Sequence, residues 1–292
     1  MPTARVNGID IWYELSDGAG PALVLTHGFA GPTSGWPAII DEFRARFRLL
    51  LYDVRGHGLS DAPEDEAAYS VPRFAADLAG LLDALGIERI HVGGVSMGGM
   101  ISAQFACDHS ERLRSLLLCD TTAGNHPESG TASAAGERVL SDAFCRQEQI
   151  VRAGGIEDLV PRENRYRREG DPYAARSSQS LDEQDARNKR KPQMITPHAY
   201  VAVSRALRER PDLTSRTPAI RTPTLVSCGE WDAFYPCAER DHRLIANSRL
   251  ATVRGAAHST PDYQPQRWKR AVFEFIDDVE TGRDIRGEVE YG

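Results

Sequence analysis

The sequence predicts an α/β fold, in which helices cover both faces of a mostly parallel, twisted β-sheet. Short apolar runs that suit buried strands alternate with longer segments of helical periodicity along most of the chain. This alternation is typical of parallel strands joined by crossover helices, because strands buried on both faces are apolar throughout. One polar stretch, from residue 122 to 216, interrupts the alternation and indicates an inserted segment.

The chain begins with a predicted β-hairpin, because Asn7-Gly8 separates two runs in which apolar and polar residues alternate. The other predicted strands each contain a short apolar run: 22–26, 47–53, 89–95, 114–119, 223–228 and 249–254. The predicted core helices cover 36–46, 71–85 and 97–109. Gly86 is a suitable C-cap for the second of these helices.

The stretch 122–216 is rich in Arg and Glu and is interrupted by prolines: Pro161, Pro172, Pro192, Pro197 and Pro211. Two parts of it, 137–153 and 197–210, keep the spacing of amphipathic helices. We therefore predict that 122–216 is a mostly helical cap that forms the roof of the ligand pocket. Residues 1–121 and 217–292 then form the core.

Ser96 is the strongest candidate for a catalytic nucleophile. It lies in Gly94-Val-Ser-Met-Gly98, between a predicted strand and a predicted helix. A serine at such a turn is held on a sharp bend with its hydroxyl exposed above the sheet. The glycines two residues before and after it allow the strand and helix backbones to approach without a Cβ clash.

Two later loops supply a candidate acid and a candidate base. Asp232 and His258 each lie on a loop at the end of a predicted strand. Ligands of open α/β sheets bind beyond the carboxyl ends of the strands, so both side chains can converge on Ser96. His258 would accept the serine proton, and Asp232 would fix its tautomer. Asp120, at the end of the strand before the insertion, is the alternative acid.

The loop His27-Gly-Phe-Ala-Gly31 follows the strand 22–26 and is a candidate oxyanion site. Its backbone can direct an N–H group, for which we choose Phe29, towards a developing oxyanion. Met97 follows the nucleophile and supplies the second N–H group at the positive end of a helix. We expect His27 to orient this loop and His57 to hold a turn by hydrogen bonding.

These segments resemble the α/β-hydrolase superfamily. Its motifs are matched in order by His27-Gly-Phe29, Tyr52-Asp-Val-Arg-Gly-His-Gly-Leu-Ser-Asp61, Gly94-Val-Ser-Met-Gly-Gly99, Gly229-Glu-Trp-Asp232 and Gly255-Ala-Ala-His258. The resemblance covers about residues 5–122 and 216–280, and the serine turn and histidine loop are similar to those of 3-oxoadipate enol-lactonases and related esterases. It implies hydrolysis of a carboxylic ester or lactone by a serine hydrolase, through an acyl-enzyme and without a metal or other cofactor.

Departures from the superfamily patterns restrict the chemistry. A serine at position 96 argues against the relatives with an aspartate nucleophile, the haloalkane dehalogenases and epoxide hydrolases. Carbon–carbon bond hydrolases usually have Asn before the nucleophile and Trp after the histidine, where this chain has Val95 and Ser259. A carbon–carbon bond hydrolase of β-diketone or dienoate type stays the alternative enzyme. A slow-turnover small-molecule receptor of the same fold is the alternative outside enzymes.

Composition restricts the partners and the compartment. The formal net charge of −7 argues against nucleic acid as the main ligand. No run approaches 18 apolar residues, so we expect no membrane-spanning helix. The five cysteines form no C-x-x-C pair, and the N-terminal residues lack the apolar region of a signal peptide. We therefore expect a cytoplasmic protein whose partner is a small-molecule ester or lactone.

The residues near the catalytic groups give one indication of the substrate. Three apolar residues flank these groups in sequence: Phe29, Met97 and Trp231. Three aromatic residues of the insertion can extend an apolar wall: Phe144, Tyr166 and Tyr173. These residues favour a neutral or mostly apolar substrate. Four arginines argue the other way, since one that faced inward would pair with a carboxylate: Arg162, Arg165, Arg167 and Arg168. The basic run 188–192 is interpreted as a solvated loop, with an anion or partner site as the alternative.

Overall fold

Nine strands form one sheet in the computed structural model, which describes residues 2–31, 33–37, 39–126 and 129–292. The strands are β1 (Thr3–Val6), β2 (Ile9–Leu15), β3 (Ala22–Thr26), β4 (Arg48–Tyr52), β5 (Ile90–Val95), β6 (Leu113–Cys119), β7 (Thr224–Gly229), β8 (Ser248–Val253) and β9 (Gly287–Tyr291). Their order across the sheet is β1-β2-β4-β3-β5-β6-β7-β8-β9. β2 pairs antiparallel with β1 and β4, and the pairs from β4 to β9 are parallel. The predicted mostly parallel sheet is confirmed.

The helices are α1 (Ile40–Arg46), α2 (Val71–Ala84), α3 (Met97–Asp108), α4 (Ala132–Glu169), α5 (Leu181–Asn188), α6 (Pro197–Arg208), α7 (Tyr235–Leu244), α8 (Thr260–Tyr263) and α9 (Pro265–Glu280). The ends of α2 show why the sequence forms a helix there. The backbone N–H of Arg73 donates to the Ser70 hydroxyl at its start, and Gly86 follows its last turn with φ +64°. Within the described ranges, no helix is long and apolar enough to cross a membrane.

Helices pack on both faces of the sheet, as predicted. Val24 in β3 packs in a cluster with residues of α2 and α3, such as Phe74. Its neighbours Leu23 and Leu25 pack in a second cluster, with residues of α1 and α9 such as Trp268. Successive side chains of a strand point to opposite faces, so the two clusters are the two halves of the core.

The helices α4, α5 and α6 lie between β6 and β7 in the chain. The helices predicted at 137–153 and 197–210 correspond to α4 and α6, but α4 is far longer than predicted. Its regular geometry is interrupted at Gly154-Gly155, where Gly155 has φ +76°, a conformation that glycine adopts without a Cβ clash. Pro161, expected to interrupt a helix, lies within α4.

The predicted helix 36–46 is shorter in the structure, because α1 starts only at Ile40. Residues 33–35 form a single 3₁₀ turn, and the Trp36 N–H donates to the carbonyl of Thr33. Pro37 has no N–H group and disfavours helical geometry at the residue before it, so the first predicted turn cannot form.

Candidate active site

Ser96 lies between β5 and α3 on a strained turn. Its φ of +55° and ψ of −115° are unusual for a residue with a side chain. Its N–H donates to the carbonyl of Cys119, 2.9 Å away, and its carbonyl accepts from the Thr121 hydroxyl at 2.8 Å. A Cβ at Gly94 would lie 2.5 Å from the carbonyl carbon of Gly98, so both positions need glycine for the turn to close. The turn holds the Ser96 hydroxyl beyond the end of the sheet.

The structure brings Ser96, Asp232 and His258 together, although they are far apart in sequence. His258 Nε2 lies 3.1 Å from Ser96 Oγ, and His258 Nδ1 lies 2.9 Å from Asp232 Oδ2. In the neutral tautomer that fits both contacts, Nδ1–H donates to Asp232 and Nε2 accepts from the serine hydroxyl. The second oxygen of Asp232 accepts from the Phe234 N–H at 2.9 Å. Each of these side chains therefore has a fixed orientation.

The electrostatic surroundings favour a charged His258. Burial lowers the pKa of His258, but the charge of Asp232 and the hydrogen bond to it act in the other direction. Asp120 and Asp262 add smaller effects of the same sign, and together they raise the pKa of His258 to about 9. The site thus stabilises the imidazolium that forms when a histidine accepts a proton.

Asp120, the alternative acid, faces a different set of partners. One of its carboxylate oxygens accepts from the Gly229 N–H at 3.1 Å, and the other accepts from the N–H and hydroxyl of Thr260 at 2.6 and 2.7 Å. Burial and the charge of Asp232 raise the pKa of Asp120 to about 7. Its hydrogen bonds join the loop of Asp232 to the loop of His258, and none of them goes to the His258 ring.

The loop that follows β3 lies beside the serine turn. A Cβ at Gly28 would lie 3.7 Å from Ser96 Cβ, so the Phe29 backbone is adjacent to the nucleophile candidate. Met97 is the first residue of α3, and the first N–H groups of a helix have no acceptor within that helix. Both backbone groups are suited to stabilise negative charge near Ser96.

Two buried histidines hold this loop, as expected from the sequence. His27 Nδ1–H donates to the Gly28 carbonyl at 2.8 Å, and its Nε2 accepts from Val54 N–H at 3.0 Å. His57 Nε2 accepts from Ala30 N–H at 3.2 Å. Burial lowers the pKa of His27 to about 4, and burial together with His27 lowers the pKa of His57 to about 3. Both rings are therefore neutral near pH 7 and can accept these hydrogen bonds.

A cavity of about 420 Å³ opens above Ser96 and His258. Its apolar lining residues include Phe29, Val95, Leu140, Ala143, Phe144 and Met194. Phe29 packs edge-on against Phe144, with ring centroids 5.2 Å apart, and at a tilt against Tyr200, with ring centroids 4.6 Å apart. Its polar lining residues on α4, α5 and the turn after α5 are Gln147, Glu163, Arg167, Gln184, Arg187, Asn188 and Lys191.

The sequence identified some of these lining residues and missed others. Phe29, Phe144 and Arg167 line the cavity, whereas Tyr166 is 65% exposed and Tyr173 stacks on Trp231 with ring centroids 4.9 Å apart. The run 188–192, interpreted as a solvated loop, contributes Asn188 and Lys191 to the cavity. Residues of α5 and Tyr200 could not be assigned to a cavity from sequence, because their helices carry no motif.

One group of possible metal ligands occurs among the described residues: Asp120, Cys228 and Asp232, whose ligand atoms lie within 4.8 Å of one another. Burial raises the pKa of the Cys228 thiol well above its ordinary value, which disfavours the thiolate that a metal requires. The two carboxylates already accept hydrogen bonds from Thr260, Gly229, Phe234 and His258. These side chains are therefore poorly suited to hold a cation.

Known proteins share this fold and, in part, this sequence. A family model described as alpha/beta hydrolase fold matches residues 21–261. A Bacillus subtilis (strain 168) protein provisionally named 2-succinyl-6-hydroxy-2,4-cyclohexadiene-1-carboxylate synthase is 29% identical over 96% of this chain and 100% of its own length. A 3-oxoadipate enol-lactonase of Acinetobacter baylyi is 26% identical over 89% of this chain and 90% of its own. A solved esterase from Thermogutta terrifontis is 31% identical, with a TM-score of 0.73 over 95% of this chain and 97% of its own.

Proposed function

The chain belongs to the alpha/beta-hydrolase fold family, and we propose that it hydrolyses a carboxylic ester or a lactone through an acyl-enzyme on Ser96. The observation that carries this proposal is the pair of contacts made by His258, at 3.1 Å to Ser96 Oγ and at 2.9 Å to Asp232 Oδ2. Nucleophile, base and orienting acid within hydrogen-bond reach are the geometry that acyl transfer needs. Names of relatives that include an enol-lactonase and an esterase support the same reaction class.

In the proposed first half-reaction, Ser96 Oγ attacks the substrate carbonyl carbon while His258 Nε2 takes the hydroxyl proton. The carbonyl π electrons move to oxygen, and the N–H groups of Phe29 and Met97 stabilise that oxyanion. When the oxyanion collapses, the carbon–oxygen bond to the alcohol breaks and His258 returns the proton to the alcohol oxygen. For a lactone the released hydroxyl stays attached to the acyl chain.

In the second half-reaction, water attacks the acyl-enzyme and gives its proton to His258. The Ser96 ester bond then breaks, and the proton passes to Ser96 Oγ as the carboxylic acid leaves. Asp232 stabilises the imidazolium in both halves and keeps its charge. This scheme uses His258 in turn as base and acid and needs no further reactant than water.

We also propose that residues 122–216 act as a cap and that 1–121 and 217–292 form the catalytic core. Support comes from the shared cavity, because Phe144, Gln147 and Arg187 of this stretch line the same space as Ser96 and His258. Cap residues would then select the substrate while core residues perform the chemistry.

The test of the proposed function is a turnover assay with p-nitrophenyl butyrate. The Ser96→Ala variant should lose turnover while its circular dichroism and melting temperature stay those of the parent. Ser110→Ala is the matched control, because Ser110 is exposed on the turn after α3 and does not line the cavity. A rate for Ser96→Ala within about threefold of the parent would contradict the proposal, and sustained multiple turnover by the parent argues against a receptor.

A further inference from the structure

We infer that the substrate carries a carboxylate and that Arg167 and Arg187 bind it in the cavity above Ser96 and His258. This inference rests on the proposed function, since it describes the substrate of the reaction at Ser96. It concerns a subsite built from α4 and α5, apart from the catalytic groups and the oxyanion donors. The apolar residues that flank these groups in sequence predict a neutral substrate. The charges of the cavity favour an anionic one instead.

The charges that line the cavity are unequal. Three cationic side chains face it, Arg167, Arg187 and Lys191, against two carboxylates, Glu163 and Asp262. Lys191 Nζ forms an ion pair with Glu163, so these two charges offset each other. Arg187 pairs with Asp262, which also lines the cavity, whereas Arg167 pairs with Asp185, which does not, so the lining residues carry one more positive than negative charge. The side chains of Arg167 and Arg187 are 20% and 32% exposed, so their charges are screened less than those of fully exposed arginines.

Arg167 has an ion-pair partner that lies outside the cavity. Its Nη1 donates to Asn164 Oδ1 and Asp185 Oδ1, both at 3.0 Å. Asp185 does not line the cavity and also accepts from Arg168. Among the described residues, the structure records no acceptor for Nε or Nη2 of Arg167. These donors stay available to a ligand while Asp185 holds the side chain in place.

Arg187 stands next to the catalytic histidine loop. Its Nη1 donates to Asp262 Oδ1 at 2.7 Å, and the other oxygen of Asp262 accepts from the Ser259 hydroxyl, one residue after His258. Arg187 also lines a second, outer cavity, which shares Gly35, Trp36 and Pro37 with the first. The ion pair with Asp262 thus holds Arg187 where the two cavities adjoin, at the edge of the cavity that contains Ser96.

Four further polar side chains of the cavity lining are engaged with one another. The Tyr200 hydroxyl donates to Gln147 Oε1 at 3.0 Å, and Gln147 Nε2 donates to Glu163 Oε1 at 3.4 Å. Lys191 forms an ion pair with Glu163 at the end of this row of hydrogen bonds. Arg167 and Arg187 remain as the charged donors for a ligand. A guanidinium presents its donors in a planar fork that matches a carboxylate.

The experiment compares two esters with the same number of acyl carbons, mono-p-nitrophenyl glutarate and p-nitrophenyl valerate. The first ends in a carboxylate and the second in a methyl group. We expect the parent protein to have a kcat/KM at least about tenfold higher for the glutarate ester, the effect of one charged hydrogen bond. The ratio should fall as salt is added, because screening weakens the attraction.

Three variants test whether the two arginines cause the preference for the glutarate ester. Arg167→Gln and Arg187→Gln should each lower the glutarate-to-valerate ratio at least about fivefold, because each removes one fork of donors. Arg167→Lys keeps the charge without the fork and should retain part of the ratio. The matched control is Arg165→Gln, on the same helix but exposed and outside the cavity, for which both rates should equal those of the parent.

The outcomes separate this inference from the proposed function. Turnover of both esters at similar rates, or a preference that survives in both glutamine variants, would overturn the carboxylate subsite and leave the hydrolase intact. No Ser96-dependent turnover of either ester would overturn the proposed function itself. A glutarate preference that Arg165→Gln removes as fully as Arg167→Gln would show a general effect of surface charge and would also contradict the subsite.

Discussion

At the level of single residues, the site contains two carboxylates whose surroundings give them different tasks. Asp232 accepts from the His258 ring and from the Phe234 N–H. Asp120 accepts from Thr260 and Gly229, and burial with the charge of Asp232 raises its pKa to about 7. Two carboxylates so close together do not ionise independently. We therefore assign the role of orienting acid to Asp232 and that of a buried link between loops to Asp120.

This assignment predicts the behaviour of Asp232→Asn. The variant should lower kcat about 10⁴-fold, as expected when the base loses its tautomer and its charge partner. It should also shift the pH profile. The reactive form is neutral His258, so parent kcat/KM should rise with pH and level off above about 9, the raised pKa of that ring. Without Asp232 the effect of burial dominates and the pKa falls, so the residual activity should level off at lower pH.

Steady-state rates between about pH 5 and 10 measure both effects, because this range spans the ordinary pKa of histidine and the raised pKa of His258. Asp120→Asn is the comparison variant. If Asp232→Asn keeps nearly the parent rate while Asp120→Asn loses it, the two carboxylates have been assigned to the wrong roles. An unchanged profile midpoint in Asp232→Asn would likewise contradict the electrostatic part of the account.

The residues of the proposed triad could be placed near one another from sequence, because local patterns determine where they lie. Ser96 lies between glycines, and Asp232 and His258 follow β-strands, so chain order and strand ends suffice to bring them to one edge. The cavity wall could not be placed in this way. Arg187 and Lys191 belong to a polar stretch whose packing is decided by distant contacts, such as the ion pair of Arg187 with Asp262.

At the level of elements, the serine turn depends on how closely α3 approaches β3. A Cβ at Gly98 would overlap the carbonyl oxygen of Thr26 and lie 2.9 Å from that of His27. These are backbone atoms at the end of a central strand, so they cannot move aside as a flexible side chain would. The same approach brings the start of α3 next to the loop of Phe29, and the proposed oxyanion site depends on it.

Gly98→Ala should therefore destabilise the protein by about 1–3 kcal/mol and reduce ester turnover. Urea unfolding followed by fluorescence gives the free energy, and the p-nitrophenyl butyrate assay gives the rate. Gly130→Ala is the control, because a Cβ there would meet nothing within 4 Å, and its effect should stay within about 0.5 kcal/mol. Equal stability and equal rate in both variants would show that the close approach is not required.

The strands differ in how clearly the sequence predicts them. The strands of the sheet centre are apolar runs buried along their whole length, as in β5 and β7, so composition alone identifies them. β9 is the edge strand Gly287–Tyr291, exposed at four of its five residues, and its alternation of Gly, Glu, Val, Glu and Tyr contains no apolar run. Its pairing with β8 comes from the sheet edge and not from a local signal.

At the level of the whole molecule, Asp262 connects the stretch between β6 and β7 to the histidine loop by hydrogen bonds and an ion pair. The backbone carbonyl of Asp262 accepts from the hydroxyls of Ser177 and Ser178, and its side chain pairs with Arg187. Asp262 also bonds Ser259, next to His258. A movement of this stretch would therefore change the contacts of the residues next to His258. The proposed cap and the proposed catalytic site are connected in this way.

If Ser96 becomes covalently bonded during the reaction, a p-nitrophenyl alkylphosphonate should trap it as a stable adduct. Attack by a serine oxygen forms an oxygen–phosphorus bond, expels p-nitrophenolate and leaves a stable adduct. Intact-mass spectrometry of the parent protein should show one phosphonyl group per chain, peptide mapping should locate it on Ser96, and Ser96→Ala should stay unlabelled. Labelling of Ser96→Ala to the same extent, or an adduct at another residue of an active parent protein, would contradict the account.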